Sequence, residues 1–194
     1  MGDFAHRRLS GEFRDAWDRW LQNGLRELRV RHADWTERYL EAPLWCFVLG
    51  NGVIGGRCWL GVLMPSVDGV GRYFPFTVAA ELLAPQTELQ GEALAVVRQW
   101  WALASQAALA GLEQDLDALR FDDLLQQSFA SGAHAADSGG AALALPEMGQ
   151  SLWFTDPAGE GGPGMTSRGL PQDDQFEALF GFAADASAAG TEAM

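Results

Sequence analysis

Apolar residues at Phe13, Trp17, Trp20, Leu21, Leu25 and Leu28 recur at steps of three and four, the stripe of an amphipathic helix. Ser10 stands where such a helix needs an N-cap, so the spacing predicts a helix from there to about Val30. Asp15 and Arg19, four apart on the polar side, support it in the favoured order. A second short helix is predicted over Trp35 to Leu40, stopping before Pro43 because proline disfavours helical geometry in the residue ahead of it. The period then changes. "LWCFVLG" (44–50) and "RCWLGVLM" (57–64) are near-continuous apolar runs separated by the turn-forming "NGVIGG", and "RYFPFTVAAEL" (72–82) is a third strand candidate. Strands apolar on both sides belong to a sheet covered on both faces. Short connections make consecutive strands antiparallel neighbours. Pro75 has no N–H for a ladder, so an edge or a bulge is expected there.

A long helix is predicted over 87–111, with a polar stripe of Glu92, Arg98, Gln99, Ser105 and Gln106, so most of its circumference should be buried. Asp115 to Phe129 reads as a further helix or a broken pair. The Ala/Gly/Ser-rich segment 131–150 reads as a flexible connection. "SLWFTD" (151–156) is a late strand, "AGEGGPGMTSRG" (158–169) a loop, and 171–182 a capping helix. Residues 183–194 are expected to be a disordered tail, leaving a single domain over 1–182.

Composition sharpens this picture at two points. Six of the eight Trp fall between Trp17 and Trp100, so the core should be built mainly from the first 110 residues. The chain has no lysine and a net charge of −13. Residues 1–120 hold 12 Arg against 15 acids, a net of −3; residues 121–194 hold one Arg against 11 acids, a net of −10. Such a chain is repelled by nucleic acid and by anionic membrane surfaces. No stretch reaches the roughly 18 apolar residues that a membrane span needs. "MGDFAHRRLSGEF" has no apolar signal region, and Cys46 and Cys58 fit buried thiols in a reducing compartment, so a bacterial cytoplasmic protein is expected.

Motifs for chemistry are missing. Of the three His, His134 lies in the Ala/Gly connection, and His6 and His32 have no recognisable partner spacing. Ser66 is not in a G-x-S-x-G elbow. The two Cys are twelve apart with no CxxC or HExxH, which leaves no zinc site and no other metal or cofactor motif. Gly69-Val70-Gly71 lacks the third glycine of a dinucleotide fingerprint, and a chain without lysine has no Walker lysine. The paired acids Asp122-Asp123 and Asp173-Asp174 are adjacent, and adjacent helical residues do not face each other. The residues alone reach an α/β domain without visible catalytic equipment.

"GDF" at the start, Trp17 and Trp20 in "W-x-x-W", "APLW" (42–45), "GVLMPSVDGVGRYFPFTVAA" (61–80) and the late "SLWF…GLP…F" together resemble one family. It is the TagF (ImpM) accessory family of bacterial type VI secretion clusters, and the resemblance covers about residues 2–182. Its motif core falls on Trp17, Trp20, Pro65, Tyr73, Phe74 and Pro75. Family members usually begin with a short strand and a "GKLPxRGDF" lead-in, whereas this sequence starts at the GDF. The resemblance implies a three-layer αβα sandwich, with helices on both faces of a mainly antiparallel or mixed sheet. It also implies a non-enzymatic repressor of secretion that engages the forkhead-associated (FHA) scaffold protein of the apparatus.

Within the motif, 65–71 reads as a hairpin-like connection in which Gly69 and Gly71 supply positive φ. Asp68 and Arg72 are placed to pair across its base, pinning the turn. The other reading points Arg72 outward, to a protein partner or, with Ser66, to a small anionic ligand. At least two of Tyr73, Phe74 and Phe76 are expected in the core.

Overall fold

The computed structural model describes residues 9–68, 71–83, 87–131, 142–157 and 164–182. Helix α1 spans Gly11–Arg31, and the Ser10 hydroxyl caps it by accepting from the Phe13 N–H at 3.2 Å. Helix α2 spans Trp35–Glu41. Strands β1 (Trp45–Ile54), β2 (Arg57–Met64) and β3 (Phe76–Glu81) follow. Then come β4 (Glu88–Leu89), helices α3 (Gly91–Glu113) and α4 (Ala118–Ser131), and strands β5 (Leu143–Ala144), β6 (Gln150–Phe154) and β7 (Gly164–Arg168). Helix α5 (Asp173–Leu179) is the last element. The main sheet runs β3-β2-β1-β6-β7, with every neighbouring pair antiparallel. β4 and β5 form a separate two-stranded sheet.

Side chains alternate across a strand, and here both sets are apolar. Trp45, Phe47 and Leu49 join Trp59, Leu63 and Trp153 in one core with Phe13, Trp17, Trp20, Tyr39 and Phe176, on the face covered by α1, α2 and α5. Cys46 and Val48 join Leu60, Val62 and Met64 in a second core with Leu94, Trp101 and Ala104 of α3 and the flank of α4. This is the three-layer sandwich, and it explains the unbroken hydrophobic runs. Pro75 precedes β3, an edge strand, where its missing N–H costs the ladder nothing.

The structure departs from the sequence expectations in four places. First, β1 continues through Asn51 to Ile54, so the turn is at Gly55-Gly56 and the register is irregular between Leu49 and Ile54. Second, α3 begins at Gly91, not Thr87, because Glu88–Leu89 pair with Leu143–Ala144. Its end lies past Gly111, in a Schellman motif: Leu116 N–H reaches Gly111 O, Asp115 N–H reaches Leu112 O, and Asp115 has φ +46°. Gly111 instead makes room for the Phe121 ring, which a Cβ there would meet at 2.6 Å. Third, part of the supposed flexible connection is structured. Residues 143–144 form β5, Leu145 N–H bonds Thr87 O, and Gly149 N–H bonds Asn51 O. Fourth, the supposed loop 158–169 contains β7, whose buried Ser167 gives it no apolar signature. His134, Gly69, most of the Ala/Gly connection and the tail after Phe182 lie outside the described residues.

Candidate functional site

β2 stops at Pro65, and the chain turns back through a small hairpin that docks on α2. Val67 and Tyr73 form an antiparallel bridge, Asp68 N–H donates to Arg72 O at 3.0 Å, and Phe74 N–H donates to Ser66 O at 3.2 Å. Asp68 closes the turn with both carboxylate oxygens. One accepts from the Arg72 backbone N–H at 2.8 Å, the other from the Arg72 Nε at 2.6 Å. The Asp68 side chain is 15% exposed and that of Arg72 49%, so the carboxylate is sheltered and the guanidinium reaches solvent. Gly71 has φ +81° with open space where a Cβ would go, so glycine is needed there for its backbone freedom alone.

The hairpin's base is rigid for reasons its own sequence does not contain. The Tyr39 hydroxyl accepts from Ser66 N–H and donates to Ser66 O, both at 3.0 Å. Burial pushes the Tyr39 phenol well above its ordinary value, so the proton needed for that donation stays in place. Tyr73 packs edge-on against Trp35 at 5.1 Å and Tyr39 at 5.7 Å. Arg29, near the end of α1, lies over the Trp35 ring at 4.6 Å and donates to Tyr73 O at 3.3 Å. Ser66, Asp68 and Arg72 are thus brought into one turn, but Ser66 is held through its backbone. Sequence reasoning missed Arg29 and Tyr39, which are remote in the chain and carry no motif.

Trp17 and Trp20 are buried in the first core. Of the other motif residues, Pro75 is buried, while Pro65, Tyr73, Phe74 and Phe76 are half-buried. The expectation that two of those aromatics lie fully in the core is therefore corrected. Tyr73 and Phe74 pack on the first core and Phe76 on the second, with its ring edge-on to Phe121 at 4.8 Å.

Nearby, α5 is tied to α1. Arg31 and His32 both reach the Glu177 carboxylate at 2.9 Å. Burial pushes Glu177 up, but hydrogen bonds from His32 and Arg31 outweigh it and hold the carboxyl below its ordinary value. His32 also packs on Phe182 at 4.1 Å, and Arg38 lies over that ring at 4.9 Å. As a nucleophile Cys46 is poorly placed: it is fully buried, and burial pushes its thiol up to about 12. Among the described residues no group of three or more His, Cys, Asp or Glu is placed to hold a metal ion, and no helix is long and apolar enough to cross a membrane.

Residues 1–128 match the model of the TagF N-terminal domain, described as type VI secretion system-associated. The chain belongs to the TagF family. The matched region contains α1, α2, β1 to β3, α3 and most of α4. A solved relative in fold is the crystal structure of PA0076 from Pseudomonas aeruginosa PAO1. It is 26% identical with a TM-score of 0.69, and the alignment covers 100% of this chain and 94% of that one. No curated protein matches the sequence.

Proposed function

We propose that this TagF-family protein is a non-enzymatic, cytoplasmic repressor of type VI secretion that acts after transcription by binding the FHA scaffold protein of the apparatus. The observation that carries the reading is the match of residues 1–128 to a type VI secretion-associated domain. The hairpin adds a physical argument. Val67 and Arg72 are exposed and stand on a base held by Tyr39, Tyr73 and Arg29, and side chains on a pre-ordered base lose less conformational entropy on binding. Asp68 already occupies the Arg72 guanidinium edge, which favours a protein surface over a small free anion as the loop's contact. The net −10 of residues 121–194 favours a basic partner surface, so association with the scaffold should slow as salt rises.

The test is a clean deletion in a strain carrying the secretion cluster. Export of the tube protein should rise with transcript levels unchanged, and unchanged export in cells where the apparatus assembles would refute repression. Pull-down of the scaffold by Arg72→Ala then decides what the turn does. Lost binding at an unchanged melting temperature makes the hairpin the recognition site. A lowered melting temperature with binding retained makes the Asp68–Arg72 pair a pin for the turn.

A further inference from the structure

An antiparallel ladder exchanges hydrogen bonds at every second residue, so the register of β2 with β3 decides which way each backbone group of β3 points. Leu82 N–H donates to Cys58 O at 2.9 Å and Phe74 N–H to Ser66 O at 3.2 Å, both on the register that sets Trp59 opposite Glu81. Even-numbered residues from 74 to 82 therefore bond towards β2, and odd-numbered ones face the outer edge. The first odd positions are closed: Tyr73 O accepts from Arg29, and Pro75 has no N–H. Beyond them Thr77, Ala79 and Glu81 turn N–H and C=O outward, and no described group bonds these backbone atoms. The three residues are only half-buried. At the opposite edge of the sheet, Gln175 of α5 donates to Thr166 O on the outer side of β7. An edge left unpaired and unguarded is a template for another strand.

We propose that the β3 edge pairs with a second copy of this chain, β3 against β3, antiparallel about a twofold axis through Ala79. In that register Thr77 of each copy stands opposite Glu81 of the other, and Ala79 opposite Ala79. Every outward N–H and C=O of the three residues then has a partner, and the interface is self-complementary as a twofold requires. The side chains fit the same register. On the second face Val78 falls opposite Ala80 and Phe76 opposite Leu82, all apolar and all left half-buried at the margin of that core. On the first face Thr77 Oγ1 accepts from Trp17 Nε1 at 3.0 Å, and its own O–H is directed to the copy's Glu81 carboxylate, which Arg57 flanks. Ala79 against Ala79 puts nothing bulky at the axis. Charge selects this edge as well. Apart from Asp122 and Asp123 of α4, the described acids beyond residue 120 sit around β6, β7 and α5. Pairing at β3 keeps those acid-rich ends apart, whereas pairing at β7 would bring them together.

Sedimentation of the full chain from about 1 to about 200 μM should show a monomer–dimer equilibrium. The copies carry like net charge, so the dimer should tighten as salt rises, the opposite of the scaffold association proposed above. Backbone hydrogen exchange reads the register in the parent itself. The amides of Thr77, Ala79 and Glu81 should exchange about tenfold more slowly, or slower still, where the dimer predominates, while those of Val78 and Ala80 are protected in the monomer too. Ala79→Pro removes the N–H at the axis without touching the ladder to β2, and Ala80→Arg sets a charge against the copy's Val78. Each folded variant should stay monomeric at about 200 μM; should a variant fail to fold, the exchange pattern of the parent decides. A parent that stays monomeric, a dimer that salt loosens, a dimer whose Thr77, Ala79 and Glu81 amides exchange as fast as the monomer's, or folded variants that pair like the parent would each overturn the proposal.

Discussion

The two faces of the sheet are filled by different chemistry. On the α1/α5 side the core is a block of rings. Trp17, Trp20, Phe47 and Trp153 lie within 4.6–6.1 Å of one another in successive pairs, and Trp20 meets Phe176 edge-on at 5.4 Å. Four indoles there are tied by hydrogen bonds: Trp17 to Thr77 Oγ1, Trp20 to Pro171 O, Trp45 to Leu179 O and Trp153 to Ser151 Oγ. On the α3/α4 side the helix brings Ala95, Ala104, Ala107 and Ala108 to its buried surface. Small residues let helices approach closely, but they do not reach sideways, and a cleft beside β6 and β7 remains. Large rings fix both volume and direction. Alanines give proximity and leave space.

This contrast is strongest at Trp153, which is fully buried between two tryptophans and a phenylalanine. Trp153→Ala should cost about 3–5 kcal/mol, read as a fall in the urea midpoint. A chemically matched pair tests the contrast itself. Leu21→Ala, among the rings, should cost about 4 kcal/mol, and Leu94→Ala, on the alanine side, about 2, because the looser layer collapses further into the space left. Equal costs would break the comparison.

The hairpin sits on the boundary between these regimes. Phe74 is half-buried, so Phe74→Ala should cost about 2 kcal/mol, roughly half the value for a fully buried phenylalanine. Asp68→Ala should cost about 1 kcal/mol, since half of its ion pair is in solvent. The smallest effect belongs to the α1–α5 tie. The Glu177 carboxyl is held below its ordinary value of 4.5, so its contribution is complete above that pH and is lost as pH falls through the lower folded value. The melting temperatures of the parent and Glu177→Gln should therefore differ at about pH 6 and draw together as pH falls below 4.5 through the lowered folded value.

Much of the first face was legible in the chain. The Phe13-to-Leu28 stripe marked α1 to within a residue at each end, because its periodicity and its Ser10 cap are both local. The runs at 44–50 and 57–64 announced a sheet buried on both sides for the same reason. What failed were the elements defined by remote partners. β4 takes Glu88 and Leu89 from the start of a helix because Leu143–Ala144 are there to pair with them. β7 is a strand because β6 offers an edge, and its Gly-Met-Thr-Ser-Arg sequence has no period of its own. In the candidate site, the Asp68–Arg72 pair was readable from its four-residue spacing.

The sequence by itself determined which residues are apolar at which spacing, where a proline or glycine forces the backbone, and the family to which the motif points. Those are properties of neighbours along the chain. Only the tertiary structure decided that Tyr39 clamps Ser66 from 27 positions away and that Arg29 reaches Tyr73 from 44. It alone placed Trp101 of α3 against Phe154 of β6. The reason is physical. A hydrogen bond or a cleft depends on which elements pack together, and packing is set by how all the apolar faces are buried at once rather than by any one segment.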